Sequence, residues 1–143
     1  MDKAQVMAGA NSSPPPRWPV GGTFIEALAL RDFTALADCL DSAARMRAML
    51  PHGPVELTGS DAVAGWFRSL FGGPEDLELS DGTVGDIGHR LYLRWRIRLT
   101  PAGGTGPRRL VEQHAFIATD AGARISAVDL LCSGFVTEPG TAA

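Results

Sequence analysis

The spacing of apolar residues predicts helices in the first half of the chain. The first apolar positions at helical spacing are Phe24, Leu28, Phe33, Leu36 and Leu40. A break at Arg31-Asp32 divides this series, so it indicates two consecutive helices that end near Asp41. Thr23-Phe24-Ile25-Glu26 has the form of a capping box, in which the Thr hydroxyl and the Glu carboxylate bind free N–H groups. The first helix is therefore predicted to begin at Thr23.

An extended segment and a third helix follow. Residues 44–50 are predicted to be a short strand. Ser60-Asp61 can cap a third helix, and Gly72-Gly73-Pro74 is predicted to end it. The broad apolar face of this helix comprises Val63, Trp66, Phe67, Leu70 and Phe71.

After Pro74 the apolar period changes from helical to two, which indicates strands. Residues 89–100 alternate strictly between apolar and polar or charged positions. Turn residues at 103–107 and 120–123 predict that the strands at 108–119 and 124–135 continue an antiparallel meander, and a strand near 75–86 precedes them. Helices followed by hairpins predict an α+β fold with the helices on one face of the sheet.

Length and composition bound the class of protein. The 143 residues suit one domain, with a Pro-rich flexible leader at 1–20, the folded domain at 21–137 and a flexible tail at 138–143. The leader lacks the apolar run of a secretory signal, and no stretch is long and apolar enough to span a membrane. We expect a cytoplasmic protein without a membrane partner.

The charged and sulfur-containing residues argue against several function classes. Thirteen basic against sixteen acidic residues give a net charge of −3, which disfavours nucleic acid as a partner. Cys39 and Cys132 are isolated and are expected to be reduced. The three histidines lack metal-ligand spacing, and phosphate-binding glycine motifs do not occur, so neither a metal nor a cofactor is expected.

The element order resembles the nuclear transport factor 2-like superfamily, specifically its SnoaL-like branch. Residues 24–32 followed by Phe33-Thr34-Ala35-Leu36 are similar to its first two helices, and residues 57–63 to the entry of its third helix. The resemblance spans about residues 21–136. It implies a cone-shaped, curved antiparallel or mixed sheet that encloses a cavity with three helices, and frequent dimers. Ketosteroid isomerases, polyketide cyclases, dehydratases, epoxide hydrolases and non-enzymatic binders share this fold, which does not choose among them.

Strand register predicts which side chains face the cavity. Pairing Thr100 with Arg108 places Trp95 opposite Gln113, and pairing Ala118 with Ile125 in the next hairpin extends the apolar face. A one-residue slip would exchange the two faces. The expected ligand is a hydrophobic small molecule, with Gln113 and Trp95 supplying hydrogen bonds. The predicted cavity residues are Phe24, Met46, Ala48, Leu50, Trp66, Phe67, Leu93, Trp95, Ala115, Leu130 and Cys132.

The resemblance also shows which catalytic groups are missing. At positions matching the acid, the tyrosine and the general base of ketosteroid isomerases stand Gln113, Phe24 and Ala48, which argues against that activity. Polyketide cyclases place an acid late in the last strand, where this chain has Cys132-Ser133-Gly134. The carboxylate pair of the epoxide hydrolases has no counterpart on the apolar face.

Two candidate acid–base groups remain. His52 lies in the Pro51–Pro54 loop, at the expected rim of the cavity. The second hairpin places Asp129 opposite His114, which predicts a base oriented by a carboxylate, with Glu112 able to join it. This dyad would serve the cavity only in the alternative register, or act on the outside of the sheet. The arginines that alternate along residues 90–98 are interpreted as cross-strand partners of Asp76 and Glu78.

Three hypotheses follow. The first is a cofactor-independent enzyme that cyclises, isomerises, dehydrates or hydrolyses a hydrophobic small molecule, with His52 and Gln113 as its polar participants. The second is a binding or accessory protein without catalysis. The third is an interaction module that forms a homodimer through the arginine-bearing face of the sheet.

Overall fold

A computed structural model describes residues 18–138, which form three helices and seven strands. The helices are α1 (Trp18–Leu30), α2 (Phe33–Asp38) and α3 (Ser60–Phe71). The strands are β1 (Leu40–Leu50), β2 (Gly53–Thr58), β3 (Asp76–Ile87), β4 (Arg90–Thr100), β5 (Arg109–Thr119), β6 (Ile125–Cys132) and β7 (Val136–Thr137).

The strands form one curved, mixed sheet that does not close. Their order is β2-β1-β6-β5-β4-β3, with β7 paired to β5. The β1–β6 pair is parallel and the other pairs are antiparallel. Helix α1 packs against β3 and β4, and α3 against β1 and β2. The predicted α+β class, with helices on one face of the sheet, is confirmed.

Helix α1 begins earlier than its capping box predicts. It starts at Trp18, so Thr23 lies inside the helix and the predicted start is wrong. The Trp18 indole N–H donates to the Asp86 carboxylate of β3 at 2.6 Å, which holds the first turn on the sheet. Residues 18–20, which belong to the predicted flexible leader, are helical. Residues 1–17 of the leader and 139–143 of the tail lie outside the described residues.

The other two helices show how local contacts decide a terminus. The Asp32 side chain caps α2 by accepting from the Ala35 N–H at 3.0 Å. Gly59, with a φ of 102°, precedes α3, and its N–H donates to the Ala44 carbonyl of β1 at 2.7 Å. No side chain caps this helix, so the predicted Ser60-Asp61 cap is wrong. Helix α3 ends at Phe71 with Gly72 as its C-cap, which agrees with the end predicted at Gly72-Gly73-Pro74.

Side chains that alternate in direction along the strands give the sheet an inner face, which packs against the helices, and an outer face. Along β4 every second side chain is buried, from Leu91 to Leu99, while the intervening arginines face outward. The predicted register of the β4–β5 hairpin is confirmed: Trp95 pairs with Gln113 and Arg94 with His114. The predicted faces of these strands are therefore correct.

The β5–β6 hairpin differs from its predicted register by two residues. Thr119 pairs with Ile125 and Ala118 with Ala127, so a bulge leaves Ser126 with no residue opposite it in the β5 register. Asp129 consequently lies opposite Phe116 and not opposite His114. Because side chains alternate with a period of two, a shift of two residues changes the partners and keeps the faces.

Candidate functional site

The space between helices and sheet contains a cluster of aromatic rings. Phe24 of α1, Phe67 of α3 and Trp95 of β4 are all fully buried. Their ring centroids are 5.5 Å apart for Phe24–Phe67, 5.7 Å for Phe24–Trp95 and 6.2 Å for Phe67–Trp95. At this point of the interior, the side chains predicted to line a cavity fill the space themselves.

Gln113 is the single buried polar side chain within residues 18–138. Its Oε1 accepts a hydrogen bond from the Trp95 indole N–H at 2.7 Å, and its Nε2 donates to the Cys132 Sγ at 3.2 Å. The Gly134 N–H donates to the same sulfur at 3.4 Å. The two groups predicted to bind a ligand are thus paired with each other across the β4–β5 hairpin.

The other predicted cavity residues also belong to the inner layer. Five of them are buried in the same core, namely Met46, Ala48, Leu93, Ala115 and Leu130. Trp66 is half-buried and packs edge-on against Phe67, with ring centroids 5.0 Å apart. Leu50 and Cys132 are half-buried where β1 and β6 end. The structure brings these residues together, and their contact with a ligand stays a prediction.

The predicted His114–Asp129 dyad is not formed. Asp129 accepts from Arg47 at 2.9 Å and from Arg90 at 3.0 Å, and these guanidiniums, Arg47 first, hold the pKa of its carboxyl below the ordinary range. The two-residue register difference separates it from His114. His52 is exposed in the turn between β1 and β2, and its role at a cavity rim stays a prediction.

His114 has two other partners. Its Nδ1 is 2.7 Å from the Tyr92 hydroxyl, and its Nε2 is 2.8 Å from the Glu112 Oε2. Arg96 donates to the Glu112 Oε1 from Nε at 3.0 Å and from Nη2 at 2.7 Å. These contacts, Arg96 before His114, hold the pKa of the Glu112 carboxyl below its ordinary range. All four side chains lie on the outer face.

Two cavities open on that outer face. One, of about 450 Å³, includes Arg47, Phe116 and Asp129 in its wall, and the other, of about 360 Å³, includes Glu112 and His114. Met49 and Leu131, each 53% exposed and paired in the β1–β6 register, line both. We call these two adjacent cavities together the outer groove.

Sequence reasoning missed Tyr92 as a partner of His114. The alternation of β4 puts Tyr92 on the outer face, next but one to Arg94, which pairs with His114. A diagonal neighbour on the same face is within reach of a long aromatic side chain. The position of Tyr92 in the predicted register therefore indicated this contact with His114.

The outward arginines of β4 are paired within the chain. Arg98 contacts Glu78 at 2.9 Å, as predicted, and Glu138 at 2.6 Å. Arg94 contacts Asp81 at 2.8 Å. The predicted partner Asp76 pairs with Thr100 in the register, so its assignment to an arginine is not supported by the strand pairing. These ion pairs give Arg94 and Arg98 acidic partners within the chain.

A family model for the SnoaL-like domain matches residues 22–130. The chain belongs to the SnoaL-like domain family. The match covers α1 from Gly22 onward, α2, α3 and the sheet through most of β6. No curated protein matches this sequence.

Solved structures of the same fold are similar to this SnoaL-like protein. An LEH-like epoxide hydrolase from M. tuberculosis has a TM-score of 0.62 and 16% identity, over 82% of each chain. A candidate polyketide cyclase from Xanthomonas campestris has a TM-score of 0.60 and 18% identity, over 79% of this chain and 87% of its own.

A third structure is a hypothetical protein with a ketosteroid isomerase-like fold from Catenulispora acidiphila, in complex with trimethylamine. Its TM-score is 0.64 at 14% identity, over 85% of this chain and 88% of its own. At these identities the three structures establish the fold.

Two further findings concern only residues 18–138. None of their helices has the length and apolar character needed to cross a membrane. Their His, Cys, Asp and Glu side chains form no group of three or more that could hold a metal ion.

Proposed function

We propose that this SnoaL-like protein binds an apolar small molecule between its helices and its sheet and does not transform it. The observation that carries the proposal is the chemistry of the buried side chains. Within residues 18–138, Gln113 is the one polar or charged member of that set. A general acid or base needs a titratable group within reach of its substrate, and a carboxamide does not titrate near neutral pH.

The positions of the missing catalysts support the same conclusion. Phe24 and Ala48 are buried on the inner side of the sheet, 0% and 3% exposed, at the positions that the resemblance assigns to a tyrosine and a general base. Gln113 stands at the position of the acid. All three positions are buried in the interior that the proposal assigns to the ligand, and none supplies a proton-transfer group.

The packing indicates what the ligand looks like. It would be compact and mainly apolar, because it must exchange contacts with Phe24, Phe67 and Trp95. It would carry one polar atom, because displacing either partner of the 2.7 Å Trp95–Gln113 bond leaves a buried group unpaired. That cost is roughly 1–3 kcal/mol, enough to reject a pure hydrocarbon.

The test uses N-phenyl-1-naphthylamine, an uncharged apolar fluorescent probe with one N–H. Trp18→Phe combined with Trp66→Phe leaves Trp95 as the single tryptophan of the three. Binding in the interior should quench Trp95 and enhance the probe. Ala115→Leu or Ala48→Val, which narrow the interior, should weaken binding by about tenfold. A loss of about 1.4 kcal/mol of binding free energy is enough for this change.

The matched control is Met49→Glu, which changes the outer groove and leaves the interior intact. Its affinity for the probe should equal that of the parent. If Met49→Glu abolishes binding while both interior variants retain it, or if no concentration of probe alters Trp95 fluorescence, the proposal fails. Circular dichroism of each variant separates lost binding from lost folding.

The second candidate is a cofactor-independent enzyme acting on the same kind of molecule by cyclisation, isomerisation, dehydration or hydrolysis. The observation in its favour is the buried Trp95–Gln113 pair, which could polarise a carbonyl or epoxide oxygen by hydrogen bonding. Product formed from an apolar epoxide or polyketone, and lost in Gln113→Leu, would favour the enzyme over the binder. His52→Gln tests the exposed histidine in the same assay.

We also propose that two copies associate through the outer face. Met49 and Leu131 present adjacent apolar side chains there, each more than half exposed. Leu131→Asp should shift the sedimentation coefficient from dimer to monomer. Leu30→Asp, at a 70% exposed leucine on α1, is the matched control and should leave the dimer intact. A wild-type monomer at all concentrations would contradict this proposal.

A further inference from the structure

When His114 is neutral, the Tyr92–His114–Glu112 array on the outer face has one consistent arrangement of protons. Glu112 is ionised, because its lowered pKa lies below the ordinary carboxyl range, so it only accepts hydrogen bonds. The ring N–H of neutral His114 must therefore be on Nε2, which donates to Glu112 at 2.8 Å. Nδ1 then accepts, and the Tyr92 hydroxyl donates to it at 2.7 Å.

This arrangement has the roles of an activated nucleophile. A hydroxyl, a base within hydrogen-bond distance and a third group that orients the base are the signature of covalent catalysis. Arg96 holds the Glu112 Oε1, so the other carboxylate oxygen is fixed toward His114. The arrangement joins β4 and β5, whose hydrogen-bonded register fixes the backbone under each side chain.

A binding volume adjoins the array. His114 and Glu112 line the 360 Å³ cavity of the outer groove, whose remaining wall is largely apolar, with Met49, Leu50 and Leu131. This volume lies within the range of small-molecule sites. The Tyr92 ring packs 5.9 Å from His114 and 5.3 Å from Phe116, which lines the 450 Å³ cavity. Tyr92 lines neither cavity itself but contacts one lining residue of each, His114 and Phe116.

We propose that Tyr92 is a nucleophile for esters with a short apolar acyl group, with His114 as its base and Glu112 as a positioning residue. The Tyr92 oxygen bonds to the ester carbonyl carbon while its proton passes to His114 Nδ1. The bond from that carbon to the leaving oxygen breaks, and the alcohol leaves with the proton from His114. Water then hydrolyses the acyl-tyrosine, releasing the acid and restoring the phenol.

The experiment uses p-nitrophenyl butyrate on the full chain. Tyr92 is the one tyrosine in the sequence, so peptide mass spectrometry gives an unambiguous result for tyrosine acylation. Tyr92 should acquire one butyryl group at least about tenfold faster than N-acetyltyrosinamide under the same conditions, and His114→Gln should lower the rate by about 100-fold. Glu112→Gln should lower the maximal rate without changing the ester concentration at half-saturation.

Matched controls remove the same side-chain types elsewhere. His89→Gln, at an exposed turn, and Glu78→Gln, at an exposed position of β3, should leave the rate unchanged. Acyl transfer to another side chain would overturn the proposal. So would a Tyr92 that stays unmodified in the folded protein, whether a second copy or the fold itself covers its hydroxyl. A Glu112→Gln variant that folds and reacts at the wild-type rate would overturn the role of Glu112. None of these outcomes depends on ligand binding in the interior. The reaction is assigned to the dissociated copy, because the dimer proposed above would cover Met49 and Leu131 of the same groove.

Discussion

Two adjacent glycines of α1 give a matched test of how tightly this helix lies on the sheet. Gly21 is buried against β4, and a Cβ added there would lie 2.9 Å from the Cδ2 atoms of both Leu91 and Leu93 and 3.2 Å from Val84 Cγ1. A Cβ added at Gly22 meets nothing within 4 Å. Gly21→Ala and Gly22→Ala therefore make the same chemical change in the same helix with opposite steric consequences.

The expected magnitudes follow from these distances. Alanine in place of glycine inside a helix stabilises by about 0.5–1 kcal/mol, and Gly22→Ala should show that gain. Gly21→Ala has the same favourable change in helix propensity. It also forces two buried leucine methyl groups to move, and overpacking of this kind costs about 1–3 kcal/mol. The difference in unfolding free energy between the variants should therefore be about 1–3 kcal/mol in favour of Gly22→Ala.

Urea denaturation followed by circular dichroism measures this difference directly. Both variants should keep the wild-type m value, because neither changes the surface exposed on unfolding by much. If Gly21→Ala is as stable as Gly22→Ala, the close approach of α1 to Leu91 and Leu93 is wrong. The position of Phe24 in the aromatic cluster, one turn further along the helix, would then be in question as well.

Further predictions concern acid stability and the buried polar pair. Arginine contacts depress the pKa values of Glu112 and Asp129, so their stabilisation is present above the unfolded carboxyl pKa of about 4 and is lost as pH falls through the lower folded values. The thermal midpoint should fall over this acid range, and Asp129→Asn should flatten the decline; equal slopes would contradict the linkage. Trp95→Phe should cost roughly 2–5 kcal/mol in urea denaturation, because it leaves a gap and an unpaired Gln113 oxygen. Adding Gln113→Leu should cost less than the sum of the single changes, whereas strict additivity would show that the two groups do not interact.

The sequence predicts the two faces of the sheet because one strand alternates without interruption. Ten residues from Arg90 to Leu99 keep the period of two, and a single hairpin register then places Gln113 beside Trp95 in the interior. The helical spacing of Phe24 and Phe67 likewise predicts their burial. These outcomes depend on periodicity alone, which a single sequence displays directly.

Other features depend on tertiary contacts that a pattern does not reveal. The capping box at Thr23 is a valid local signal, but Pro19 suits a first helical turn and the Trp18–Asp86 bond fixes an earlier start. The bulge in the β5–β6 hairpin places Leu131, and not Asp129, opposite His114. Sequence alternation therefore assigns His114 to the correct face, while its hydrogen bonds require the structure.

The bulge at Ser126 indicates where the chain can lose one residue without exchanging the inner and outer faces of β6. Ser126 has no residue opposite it in the β5 register, so deleting it would join two paired positions and let Ile125, Ala127 and Val128 alternate regularly. Deleting one residue later in β6 would instead move Leu130 to the outside. Relatives of different length should therefore gain or lose a single residue at this hairpin, and nowhere else in β6.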